Sequence, residues 1–138
     1  MKIVVIDGQG GRLGRRLVER IRAEFPDVDL LAVGVNENAT ESMLKGGATQ
    51  VATGENAAVV ACRNADIIVG PLGIAVANAL MGEISPAISN AVSGSGAYRV
   101  LVPMNLCDTY VAGVTQSSTA IINDALDHIK KQIERINK

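Results

Sequence analysis

Ile3-Val4-Val5-Ile6-Asp7-Gly8-Gln9-Gly10-Gly11-Arg12-Leu13-Gly14 is the stretch that decides the fold. Its first four residues are β-branched and apolar with no polar alternation, the pattern of a short strand buried on both faces of a parallel sheet. Asp7-Gly8 ends that run, and the period then changes. Leu13, Leu17, Val18, Ile21 and Phe25 recur at helical spacing with Arg15, Arg16, Glu19, Arg20 and Arg22 between them, and Pro26 stops the pattern. The reading is strand, glycine-rich loop, amphipathic helix.

The same unit repeats down the chain. Val28 to Val33 reads as a second strand and Thr40 to Lys45 as a short helix closed by Gly46-Gly47. Gln50 to Ala52 reads as a brief third strand, Glu55 to Asn64 as a helix, and Ile67-Ile68-Val69 as a buried strand running into a turn at Gly70-Pro71-Leu72-Gly73. Ser85 is a good N-cap, with Pro86 at the first position of a helix to Val92. Tyr98 to Val102 reads as a fifth strand and Tyr110 to Val114 as a sixth. The closing helix carries Ile122, Leu126, Ile129, Ile133 and Ile136 on one face, with Lys130, Lys131, Arg135 and Lys138 toward its negative end. Alternating strands and helices predict a Rossmann-like α/β fold: a doubly wound, mostly parallel sheet of five or six strands in three αβα layers, as one domain over residues 1–138.

Composition narrows the function classes. A chain of 138 residues can bury roughly two-thirds of its unfolded surface, and with 48% hydrophobic residues but only 2% aromatic the core must be aliphatic. A net charge of −1 offers no basic field for a polyanion, and the missing aromatics remove stacking platforms, so nucleic acid is not an expected partner. Cys62, Cys107 and His128 are the only cysteines and histidine, so no metal site is expected. No apolar run reaches the length of a membrane span, and the N-terminal run is too short for a signal peptide, which predicts a cytoplasmic protein away from membranes.

In a βα unit of this kind the strand stops beneath a helix N-terminus whose free amides and dipole stabilise an anion. Gly8, Gly11 and Gly14 complete G-x-x-G-x-x-G, while Gly8 and Gly10 begin G-x-G without its third glycine. Gly8, Gln9, Gly10, Gly11, Arg12, Leu13 and Gly14 are therefore the candidate phosphate cradle, with Arg12 the cation best placed to help. The same glycines also suit a tight turn that lets the helix pack closely, without any ligand. No G-K-[ST] follows, which disfavours a P-loop nucleotidase. Dinucleotide sites use an acid near the end of the second strand to hold the ribose, and here stands Gly34-Val35-Asn36. Asn36 is the candidate contact to a ribose or base, or to a 2′-phosphate with help from a basic residue, although no arginine stands nearby in sequence, and a nucleotide other than NAD stays open.

Other turns at strand ends add candidates. Thr53, Gly70 and Pro71 lie on the rim where α/β sheets bind ligands, and Thr53 and Asn56 serve equally as helix cap and turn former. Glu83, isolated in an apolar segment, is a candidate acid or base, and Asn105 and Cys107 after the fifth strand are candidates for handling substrate. Cys107 has no histidine in sequence to activate it, and His128 reads as a solvated helix residue.

The run Ile3 to Gly11, with Thr53-Gly54-Glu55-Asn56-Ala57, Asp66-Ile67-Ile68-Val69-Gly70-Pro71, Gly82-Glu83-Ile84-Ser85-Pro86-Ala87 and Pro103-Met104-Asn105, resembles a family of short bacterial proteins of unknown function. The resemblance spans nearly the whole chain and implies a nucleotide-type α/β fold. Locally, Gly11-Arg12-Leu13-Gly14-Arg15 is similar to the phosphate loop of dihydrodipicolinate reductase and related NAD(P)H reductases. That second likeness is confined to one βα unit, and the reductases' catalytic histidine motif has no counterpart in this chain.

These readings converge on a small nucleotide- or dinucleotide-binding protein, a sensor or accessory subunit, with NAD(P) or another nucleotide as cofactor. The alternatives are an NAD(P)-dependent oxidoreductase whose site a homodimer completes, and an interaction protein without a ligand. The apolar stretch Ile74 to Ile84 argues for the homodimer. Gly11→Val is expected to fill the phosphate space and leave the fold intact.

Overall fold

A computed structural model describes residues 1–104 and 106–138. Among them the chain forms strands β1 (Lys2–Asp7), β2 (Asp29–Gly34), β3 (Gln50–Thr53), β4 (Ile67–Pro71) and β5 (Tyr98–Val102). The helices are α1 (Arg12–Glu24), α2 (Glu37–Lys45), α3 (Glu55–Arg63), α4 (Pro86–Ser93) and α5 (Ser118–Ile136), with a 3₁₀ turn at Leu72–Ala75. The strands make one sheet in the order β3-β2-β1-β4-β5, and every pairing is parallel.

Parallel strands need long crossovers, and those helices cover both faces. β1 shows the consequence residue by residue. Ile3 and Val5 point into a core layer with Leu17, Val18 and Ile21 of α1, Met43 of α2, and Ile122, Leu126 and Ile129 of α5. Val4 and Ile6 point the other way, among Ala58 and Cys62 of α3, Ile88 and Val92 of α4, and Ile74, Leu80 and Ile84 of the intervening loop. All four β1 side chains are fully buried, which is why the run carries no polar alternation. The fold is Rossmann-like, α/β and three-layered.

Chain order reverses at the centre of the sheet. From β1 the chain steps outward to β2 and β3, then crosses back to β4 on the other side of β1. Loops leaving β1 and β4 therefore diverge to opposite faces and leave a crevice at their carboxyl ends, the position where open α/β sheets take ligands.

Two expected features differ. Tyr110 to Val114 forms no strand: Tyr110 is 83% exposed, Gly113 has φ 88°, and the sheet ends at β5. Extended propensity without a neighbouring edge to pair leaves such a segment as a surface turn. Gly70-Pro71 is not a turn but the end of β4, with Gly70 opposite Leu101 and Pro71 opposite Val102. Gly70 stands there because a Cβ would collide with the Ile6 carbonyl of β1. The direction change comes one residue later, in the 3₁₀ turn.

The closing helix follows its sequence pattern. Ser117 caps it, accepting the Ala120 N–H at 3.2 Å, and Ile122, Leu126 and Ile129 are sealed against the sheet while Ile136 is 40% exposed. Leu126→Ala should cost about 2–5 kcal/mol in urea unfolding. Ile136→Ala should cost less, about 1 kcal/mol, because 40% of its surface stays exposed in the folded state.

Candidate functional site

Asp7 is the last residue of β1 and one of few buried polar side chains, 5% exposed. Its Oδ1 accepts the Gly8 N–H at 2.8 Å, and its Oδ2 accepts the Gly14 N–H at 2.7 Å. One carboxylate thus closes the loop from both ends. Within it, the Gly11 N–H donates to the Gly8 carbonyl at 2.9 Å, and Gly11 takes the left-handed conformation, φ 69°, at the N-cap of α1.

Each glycine of the G-x-x-G-x-x-G register has a packing reason. A Cβ on Gly8 would lie 2.8 Å from Val35 Cγ2 and 3.0 Å from Glu83 Oε1; on Gly11, 2.7 Å from the Ala39 backbone of α2; on Gly14, 2.6 Å from Met43 Sδ. Gly10 is the exception, with nothing within 4 Å of its Cβ position. Gly11→Val therefore does not spare the fold, contrary to expectation: it strains a left-handed residue and strikes backbone. Gly10 is the position where a side chain can enter the site alone.

The loop opens on a cavity of about 330 Å³ at the β1–β4 crevice, lined by Asp7 to Leu13, Pro71 and Leu80. The Gly8, Gln9, Gly11 and Gly14 N–H groups are engaged within the protein. Those of Gly10, Arg12 and Leu13 have no acceptor among the described residues. α1 has no side-chain cap and no acid in its first turn, whereas Asn36, Ser85 and Ser117 cap α2, α4 and α5. Open amides, a helix dipole and the exposed Arg12 together make this end of the cavity favourable to an anion.

Glu83 reaches the same loop from the segment after β4. Its Oε1 accepts the Gln9 N–H at 2.6 Å, and its Oε2 accepts from Asn36 Nδ2 at 2.7 Å. Asn36 also donates to the Gln9 carbonyl at 3.0 Å while its Oδ1 caps α2 through the Ala39 N–H at 2.8 Å. The delivering segment is held in an uncommon backbone: Asn78, Leu80 and Met81 have φ 67°, 54° and 56°. Left-handed non-glycine residues cost roughly 1 kcal/mol or more each. Bonds from Asn78 N–H to Ile84 O (2.7 Å) and Ile84 N–H to Ala79 O (3.1 Å), with Leu80 and Ile84 buried, hold the shape.

The remaining candidates fall in different places. Gly8 to Leu13, Pro71 and, through hydrogen bonds, Asn36 and Glu83 gather at the crevice. Gly14 is turned into the α1–α2 contact and Gly70 into the β1–β4 contact. Thr53 does not cap α3, whose N-cap is Gly54; its hydroxyl pairs with that of Thr40 at 2.7 Å. Cys107 is exposed in a neighbouring cleft lined by Val76 to Met81, Leu106 and Thr109. His128 sits on α5 beside Asp124, lining a separate cleft between β5 and α5. Asn105 lies outside the described residues. Among those described, no group of three His, Cys, Asp or Glu could hold a metal, and no helix is long and apolar enough to cross a membrane. Burial pushes the Cys62 thiol up to about 11, which makes it inert at neutral pH.

Two features of the site had weak or no sequence signals. Asp7 could have been singled out as an acid closing a wholly apolar strand just before glycine. The Glu83–Gln9 bond joins residues 74 positions apart, and nothing local announces it.

Burial pushes the Asp7 carboxyl above its ordinary value of 3.8; the N–H groups of Gly14 and Gly8 oppose the rise and the charge of Glu83 adds to it. Between 3.8 and the raised value, the native state holds more protons than the unfolded one, so this group's contribution to stability falls as pH rises through that window. Asp7→Asn does not titrate and loses an acceptor. The mutant should be less stable at low pH, and its deficit against wild type should narrow as pH rises from about 4 and then level. Denaturant unfolding across that range checks it; a deficit that widens with pH would contradict the assignment.

No curated protein matches the sequence. Among solved structures, the chain is similar to a dodecameric FMN-dependent Ubix-like decarboxylase from Escherichia coli O157:H7, at 16% identity and TM-score 0.47 over 97% of this chain and 95% of that one. It is also similar to a nucleoside-diphosphate-sugar epimerase from Pseudomonas aeruginosa, at 16% identity and TM-score 0.48, over 98% of this chain but 49% of that one, so it spans about half the epimerase's length. At this level the likeness is one of outline, and neither ligand nor activity travels with it. Residues 2–134 match the family described as "Domain of unknown function (DUF3842)", and the chain belongs to that family.

Proposed function

We propose that this chain is a single-domain nucleotide-binding protein, a sensor or accessory subunit, that holds a ligand phosphate over Gly8 to Gly14. The observation that carries the reading is the set of three amides without an acceptor among the described residues, Gly10, Arg12 and Leu13, on residues that line one cavity at the chain-order reversal of the sheet. Backbone donors fixed by the fold bind an anion without reorganising, and the Arg12 guanidinium adds charge beside them. NAD(P) or a related nucleotide suits the crevice, because Asn36 and Glu83 add polar groups beside the loop, hydrogen-bonded to Gln9. The expected setting is the cytoplasm, where the free Cys62 and Cys107 would stay reduced.

Thermal shift with NAD(H), NADP(H), ATP, FMN and coenzyme A tests the reading. A ligand at about a hundred times its dissociation constant should stabilise by roughly 2.7 kcal/mol. Gly10→Val should unfold within about 0.5 kcal/mol of wild type and lose the shift, since Gly10 lines the cavity and a Cβ there meets nothing beyond its chain neighbours within 4 Å. An unchanged shift in the folded variant, or no shift with any compound, would refute the reading.

A second reading is an NAD(P)-dependent oxidoreductase completed by a homodimer, and one observation favours it. Leu80 lines both the loop cavity and the adjoining cleft that holds Cys107, so a long ligand could continue from one into the other. The case for the dimer has narrowed, because Ile74, Leu80 and Ile84 are buried in the chain's own core. What remains is the exposed apolar surface of Val76 and Met81 on the cleft rim, Met81 being 91% exposed. Light scattering at micromolar concentration should give twice the chain mass if two copies meet there, and Met81→Glu should return the monomer.

A further inference from the structure

The geometry points to Glu83 as the carboxylate that reads the ribose of the bound nucleotide, and so to a ligand whose adenosine ribose carries a free 2′-hydroxyl. The inference rests on the phosphate reading above and adds the ligand class. Dinucleotide sites hold the ribose 2′-hydroxyl with an acid near the end of the second strand. β2 ends in Gly34-Val35-Asn36 and offers no acid there. Glu37, the next acid, is exposed in the first turn of α2, where it favours the helix dipole.

Glu83 fills that position from a different part of the chain. A Cβ built on Gly8 would meet Val35 Cγ2 at 2.8 Å and Glu83 Oε1 at 3.0 Å, so the carboxylate lies against the end of β2 and the first glycine together. Asn36, at the place the acid would occupy, holds Glu83 Oε2 at 2.7 Å. Asn36 cannot swing away, because its Oδ1 is committed to the cap of α2. Each Glu83 oxygen accepts one bond from the protein and keeps a lone pair for a hydroxyl.

The division of donors agrees. Glu83 engages the Gln9 N–H, which leaves the Gly10, Arg12 and Leu13 amides for phosphate. The carboxylate therefore marks the ribose side of the loop and the helix start marks the phosphate side. A 2′-phosphate on that ribose would meet Glu83 as a like charge, with Asp7 buried close by. Arg12 lies at the helix start with the open amides, on the phosphate side.

Calorimetric titration of ADP-ribose and 2′-phospho-ADP-ribose into wild type, Glu83→Gln, Glu37→Gln and Gly10→Val tests this. Wild type should bind ADP-ribose at least about tenfold more tightly than its 2′-phosphate. Glu83→Gln should shrink that ratio by about tenfold, by weakening ADP-ribose while sparing or improving the phosphorylated form. Glu37→Gln should leave it unchanged. The ratio within one folded sample is insensitive to lost stability, and Glu83→Asp, which withdraws the carboxylate by one methylene, should lose part of the discrimination if the Gln variant does not fold. Equal weakening of both compounds in Glu83→Gln, tightening of both, or a shift caused by Glu37→Gln instead would overturn the inference. So would equal wild-type affinity for the two, and if that binding were lost in Gly10→Val the phosphate reading would survive alone. Binding of neither compound would overturn the inference, and together with no thermal shift from any of the nucleotides above it would overturn the phosphate reading too.

Discussion

A buried carboxylate at the end of the central strand holds the turn on which the rest of the site is built. Asp7 accepts N–H groups from Gly8 and Gly14, and the loop between them has no freedom to open without leaving that charge unpaired in the protein interior. Burial disfavours the charged form of Asp7 and pushes its carboxyl above the ordinary value, and a buried carboxylate without those N–H partners would be costlier still. The turn from β1 into the start of α1 is tied by these two bonds. There α1 packs closely on α2, since Gly14 and Gly11 are pressed against Met43 and Ala39.

A second constraint works against the first residue of that loop from the opposite side of the crevice. The segment after β4 runs through left-handed residues at Asn78, Leu80 and Met81, a conformation that L side chains adopt only when their surroundings require it. Its anchors are Leu80 and Ile84, which fill the α3–α4 core layer. The outcome is that Glu83 is delivered onto the Gln9 amide. Two acids therefore face the glycine loop, one holding it from below and one from its outer side, and the anion-favouring surface is confined to the helix start.

Much of the architecture was legible because it rests on periodicity. The apolar run at Ile3 to Ile6, the helical spacing of Leu13 to Phe25 and the stripe from Ile122 to Ile136 each record which faces are buried, and the elements formed where those patterns place them. Ser85 announced a helix start through local capping chemistry. The failures came where a residue's role depended on something distant. Gly70 reads as a turn former, but its reason is the Ile6 carbonyl on the neighbouring strand. Tyr110 to Val114 has strand-like composition and no edge to join.

The glycine loop divides along the same line. By itself the sequence determined that a strand enters a glycine-rich turn and leaves it as an amphipathic helix, because composition and period are properties of neighbours in the chain. Only the tertiary structure decided which glycine faces open space: Gly8, Gly11 and Gly14 are small because Val35, Ala39 and Met43 stand against them, and Gly10 alone in that loop has room beside it. Only the tertiary structure, too, brought Glu83 to the end of β2. Hydrogen bonds and close contacts between residues 74 positions apart are set by the packing of layers, and no local pattern encodes them.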